Sequence, residues 1–157
     1  MKILFICTHN RCRSILSEAI TNKIAGDLIE ARSAGSQPVG EVHPLSVKYL
    51  EQRGYPTEGL KSQSWDEFED FQADVVITVC DAAAGEACPV WFGKSIKAHW
   101  GLADPSKITG DEETVKTAFL DTISIIEQRA KALADIAKQN LDSAALKEAL
   151  TQLGVQA

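Results

Sequence analysis

Short apolar runs alternating with segments of helical periodicity constrain this chain more than any other feature. Residues 2–6 ("KILFI") and 74–79 ("DVVITV") are too short for helices and rich in strand-forming residues, so they read as buried strands. Residues 28–32 read as a second short strand and 96–99 as a weaker fourth. Around them apolar residues recur at helical spacing. Residues 14–25 carry Ile15, Leu16, Ala19, Ile20 and Ile24 on one face, and Pro44 opens a helix with Leu45, Tyr49 and Leu50 that ends at Gly54. Residues 66–71 add a short helix. A long one runs over 112–138, with Val115, Ala118, Phe119, Thr122, Ile126, Ala130, Leu133 and Ala137 on one face. A last helix carries Leu146, Leu150 and Leu153 between an N-cap at Ser143 and Gly154. Such alternation implies a central four-stranded parallel sheet covered on both faces, a three-layer α/β/α architecture. Ligands of such sheets bind beyond the carboxyl ends of the strands, where strand order reverses. Cys7, Cys80 and the segment "WGLADPSK" fall along that edge.

At 157 residues, 45% of them hydrophobic and without repeats or a linker, the chain is expected to form one domain spanning 1–157. The apolar start is too short for a signal peptide and no later run has the length of a membrane span, which predicts a soluble, cytoplasmic protein. A net charge of −6 argues against nucleic acid as a partner. An anion must therefore be attracted locally. Four cysteines in a cytosolic chain of this size do not suggest a disulfide framework. Their spacings, Cys7-x4-Cys12 and Cys80-x7-Cys88, with no completing histidine, give no metal-site pattern either.

The passage from first strand to first helix, "CTHNRCRS", carries the chemistry. A backbone turning there aims several N–H groups into one concavity at the positive end of a helix dipole, so Thr8, His9, Asn10, Arg11, Cys12, Arg13 and Ser14 together make an oxyanion nest. The planar fork of Arg13 can hold two oxygens of the anion. The same donors, with the Ser14 hydroxyl, would stabilise a thiolate at Cys7. Asn10 suits a position of positive φ. His9 reads as a solvated loop residue, Arg11 as a residue that steers anions or does nothing specific, and the Cys12 side chain as a structural one.

Taken with "ADPS" downstream, "CTHNRCRS" resembles the low-molecular-weight protein tyrosine phosphatases. The stretch "VVITVCDAAAGEACPVWFG" followed by "HWGLADPS" resembles their thioredoxin-coupled arsenate reductase branch, and the likeness runs over nearly the whole chain. The resemblance implies Cys7 as nucleophile, Arg13 and the loop amides as oxyanion binders, Asp104 as general acid, and Cys80 and Cys88 as a redox pair. It implies arsenate as substrate, with phosphate or sulfate as analogues, and leaves the reductant open among thioredoxin, glutaredoxin with glutathione, and another low-molecular-weight thiol. No tightly bound cofactor is expected beyond a potassium ion near Asn10, Glu18 and Ser33. Many members carry Gly at the position of His9 and a small or apolar residue at that of Arg11, which leaves fine substrate preference open.

Two other functions share parts of this pattern. A tyrosine phosphatase of this family usually has aromatic residues just after the Asp-Pro, where this chain has Ser106 and Lys107. A non-enzymatic phosphate-binding module would need neither Arg13 nor Asp104. Finally, "CDAAAGEAC" has the composition of a short helix, which would hold Cys80 and Cys88 too far apart for a disulfide. Bond formation would then require unwinding, with Gly85 as the yielding point.

Overall fold

The computed structural model describes residues 1–79, 95–102 and 104–155. Four strands, β1 (Lys2–Ile6), β2 (Glu30–Ala34), β3 (Val75–Thr78) and β4 (Ile96–His99), form one sheet in the order β2-β1-β3-β4 with every pairing parallel. β1 and β3 occupy the centre. Their side chains are buried on both faces, which is why they read as unbroken apolar runs: Ile3, Leu4, Phe5 and Ile6 are essentially inaccessible, as are Val75, Val76 and Ile77. Each such side chain contributes about 1.5–3 kcal/mol through burial. Strand order reverses between β1 and β3, and the Val79 amide donates to the Ile6 carbonyl at 2.9 Å.

β2 sits two residues later than the sequence pattern places it. Leu28 and Ile29, the most apolar part of the expected strand, instead close the turn after the first helix by donating their amides to Ala25. The true strand, "EARSA", is an edge, and its outward-facing backbone is met by side chains. Asn22 Nδ2 donates to the Ala31 carbonyl at 2.9 Å while Asn22 Oδ1 accepts from the Ala31 amide at 2.9 Å. The next outward carbonyl, Ser33, accepts from Gln63 Nε2 at 3.5 Å.

The helices are α1 (Arg13–Ala25), α2 (Pro44–Gln52), α3 (Glu112–Gln139) and α4 (Ser143–Val155). α1 is buried over more than its apolar face: Ser14, Ser17, Glu18 and Thr21 are enclosed along with Ile15, Leu16, Ala19 and Ile20. It packs on α3 and against the sheet, and Tyr49 of α2 completes this cluster beside Phe119 of α3, ring centroids 5.3 Å apart. Trp100, just after β4, donates its Nε1–H to the Leu150 carbonyl of α4 at 2.7 Å. Two expectations are corrected here. The N-cap of α4 is Asp142, whose Oδ1 accepts from the Ala145 amide at 2.8 Å, and the helix runs through residue 154. In place of a helix over 66–71 there is a 3-10 turn, Trp65–Phe68, closed by a reciprocal Ser64–Glu67 capping box. No helix among the described residues is long and apolar enough to cross a membrane.

Candidate active site

Between the end of β1 and the start of α1, residues 7–12 must turn the chain while exposing amides to the sheet edge. Their outward carbonyls are held by the surrounding segments. Thr8 accepts from the Gln37 amide at 2.9 Å, His9 from the Val39 amide at 3.2 Å and from Ser62 Oγ at 3.1 Å, and Arg11 from the His43 amide at 2.9 Å. In a trans peptide the N–H points opposite to the C=O, so the amides of His9, Asn10 and Cys12 face the inside of the loop. Asn10 fixes that shape. It has φ of 47° as the sequence led us to expect, is fully buried, accepts from the Gln63 amide at 2.8 Å through Oδ1 and donates to Ser14 Oγ at 2.8 Å through Nδ2. Ser14 thereby keeps its own O–H as a donor.

Cys7 lies at the floor of this turn, 5% exposed, with its amide on the Ala34 carbonyl at 3.2 Å. Gly35 presses against the back of the turn. A Cβ there would lie 2.5 Å from the carbonyl oxygens of both Cys7 and Thr8, so no side chain fits without moving the loop.

Arg13, the first residue of α1, reaches across to the loop after β4. Its Nη1 donates to the Leu102 carbonyl at 3.0 Å and its Nη2 faces Asp104 Oδ2 at 3.5 Å, longer than the roughly 2.7–2.9 Å of a tight charged pair. Nε is buried and has no partner among the described residues. Asp104 caps the 3-10 turn Pro105–Lys107, its Oδ1 accepting from the Ser106 amide at 3.0 Å and from Ser106 Oγ at 2.5 Å. Residues nearly a hundred positions apart thus meet at the edge where the strand-order rule places them.

A family model described as low molecular weight phosphotyrosine protein phosphatase matches residues 2–149. The chain belongs to this family. Among curated members, the arsenate reductase of Halalkalibacterium halodurans is 34% identical over 136 residues, covering 87% of this chain and 96% of that protein. A solved thioredoxin-dependent arsenate reductase of Corynebacterium glutamicum superposes with a TM-score of 0.68 at 28% identity over 89% of this chain, which spans 63% of that one. An arsenate reductase solved in a phosphate-binding state gives 0.69 at 27% identity, over 85% of this chain and 96% of the other.

The remaining residues of this family member's loop have distinct surroundings. His9 is exposed, its Nδ1 3.2 Å from the Gln37 carbonyl. Arg11 is partly buried. The Cys12 thiol is buried and its pKa is pushed up to about 12 by that burial, against the opposing pulls of Ser46, Arg13 and Arg11, so it stays protonated. Of Cys12, only the backbone amide faces the inside of the loop. Glu18 and Ser33 lie behind the loop, Ser33 Oγ donating to Glu18 Oε1 at 2.6 Å; burial raises the Glu18 pKa, and the Ser33 hydroxyl and Arg32 partly offset this. Cys80, Cys88 and the segment between them lie outside the described residues. Three further residues shape the site without standing out in the sequence: Gly35, Gln63 and His43. Only the Gly in a turn-rich stretch carried a signal, since a backbone amide and a helix cap leave little mark on composition.

Proposed function

We propose that the protein reduces arsenate to arsenite as one domain spanning residues 1–157, with Cys7 as the nucleophile. The buried Nε of Arg13, which has no partner among the described residues, carries the anion-binding part of this reading. Likeness to proteins called arsenate reductases supports the choice of anion. A second feature weighs against a tyrosine phosphatase: Ser106, where an aromatic wall would stand, turns back onto Asp104.

In the proposed reaction the Cys7 thiolate attacks arsenic and forms an S–As bond, while Asp104 protonates the oxygen that leaves. Cys80 then attacks the Cys7 sulfur. The electron pair of the S–As bond stays with arsenic, which leaves as As(III), and two thiols have become one disulfide. Cys88 attacks Cys80 in turn, freeing Cys7 and moving the oxidation to a Cys80–Cys88 disulfide. A thioredoxin-like dithiol is the proposed reductant, by analogy with the Corynebacterium protein, with glutaredoxin and glutathione as the competing pair. Chemistry that consumes thiols at each turnover suits the reducing cytoplasm. A potassium ion belongs to the same proposal: Glu18, Ser33 and Asn10 would offer it hard oxygen donors and it would offset the buried carboxylate.

The experiment is arsenate-dependent oxidation of NADPH through thioredoxin and its reductase, run beside hydrolysis of p-nitrophenyl phosphate. Arsenate-dependent turnover lost in Cys7→Ser and in Cys88→Ser, with residual hydrolysis kept in the latter, is expected. Hydrolysis without arsenate-dependent oxidation would leave a phosphatase. Full coupled turnover in Cys88→Ser would remove the three-cysteine relay.

A further inference from the structure

His43 stands immediately before Pro44, at the N-cap of α2, where Ser, Thr, Asp or Asn is usual. It serves two structures at once. Its Nδ1 accepts from the Leu45 amide at 3.2 Å, satisfying one of the orphan donors of the helix, and its own amide donates to the Arg11 carbonyl at 2.9 Å. The ring rests near Phe119 of α3, centroids 6.0 Å apart. Two charged groups face it, Arg11 from the loop and Asp104 from the turn after β4; the next charge along α2, Lys48, pairs with Glu112 of α3 at 3.4 Å. Nδ1 accepts a hydrogen bond only when the ring is neutral and its proton sits on Nε2. Capping and protonation therefore exclude each other.

We propose that His43 is a positioning residue for the oxyanion loop, holding Arg11 and the start of α2 in register only while its imidazole is neutral. The inference rests on the reading of residues 7–14 as an anion site and adds a residue outside it. Burial lowers the His43 pKa, Arg11 lowers it further, and Asp104 opposes both. A base with a lowered folded pKa is uncharged in the fold at neutral pH. Its contribution holds above the ordinary imidazole value of about 6.5 and is lost as pH falls from there through the folded value.

Sulfate binding measured by calorimetry between pH 5 and 8 tests this, because sulfate keeps its double charge throughout and its own titration does not intrude. Wild type should lose affinity on the acid side by about fivefold, the worth of one cap. His43→Asn, which caps without titrating, should stay flat. His43→Ala should be weaker at every pH. Superimposable pH dependence in wild type and His43→Asn would overturn the proposal. An NMR titration of the ligand-free protein separates this from failure of the anion site itself: the Leu45 amide should shift in step with the His43 ring, and a Leu45 amide indifferent to that ring overturns the proposal even where no sulfate binds.

Discussion

At the carboxyl ends of the strands the polar atoms of Asn10, Ser14 and Gln63 close on one another, whereas at the amino ends a cavity of about 950 Å³ stands open between Met1, Asp74, Ile96 and Asn140. Both ends contain non-glycine residues in the left-handed region: Asn10 at φ 47° at the first, Gln72 at 53° and Asn140 at 55° at the second. Their settings differ. Asn10 is buried with both side-chain polar atoms engaged, while Gln72 and Asn140 are exposed, and Asn140 simply ends α3 as a C-cap. An unfavourable backbone conformation is informative where its neighbours over-determine it and is ordinary punctuation where they do not.

Substitutions at the two ends should reproduce this contrast. The largest effect is expected for Gly35→Ala. A Cβ 2.5 Å from two loop carbonyls must displace the backbone that carries Cys7, and a shift near 1 Å costs about 100-fold in rate, so kcat/KM for either arsenate or p-nitrophenyl phosphate should fall by at least that much. Activity within a factor of about two of wild type would mean that the loop yields freely. Asn10→Ala comes next. It strands the Gln63 amide and removes the donor to Ser14, so chemical denaturation should show a loss of about 1–3 kcal/mol together with weaker sulfate binding.

Glu18→Gln should act in the opposite direction, and through pH. A buried carboxyl with a raised folded pKa is more protonated in the fold than in the unfolded chain, so ionising it costs stability as pH rises above the ordinary carboxylate range. Gln keeps an oxygen for the Ser33 hydroxyl without the charge. The gain in melting temperature of Glu18→Gln over wild type should grow between pH 4 and 8, and potassium should narrow it; a gap independent of pH would refute the strained carboxylate. The smallest effect belongs to the amino end: Asn140→Gly should change stability by only a few tenths of a kcal/mol, roughly the scale of an exposed C-cap, with activity unchanged. A loss of activity there would break the contrast between the two ends.

Much of this was legible because the central strands are buried on both faces and the loop chemistry needs particular residue types. β1, β3 and the positive φ of Asn10 follow from apolar runs and from what Asn tolerates. β2 follows only with bounds two residues too early, because an edge strand with Arg32 and Ser33 inside it carries no apolar signature, while Leu28 and Ile29 beside it do. α1 read as amphipathic, yet Ser14, Ser17, Glu18 and Thr21 are enclosed too, since it is pressed between the sheet and α3. Gly35, Gln63 and His43 escaped for a common reason. Each acts through a close approach or a backbone hydrogen bond between segments distant in sequence, and local patterns cannot encode the partner.

Asn22 bears on how molecules of this kind meet one another. An edge strand offers a free row of donors and acceptors on which another chain can extend the sheet, a route to runaway association. Here one amide side chain supplies, to a single residue of β2, both the acceptor and the donor that a fifth strand would bring, and Gln63 reaches the next outward carbonyl. A newcomer would have to evict bonds already made inside the molecule. Sheet growth from β2 is therefore disfavoured, and association through this flank would cost hydrogen bonds that the fold already holds.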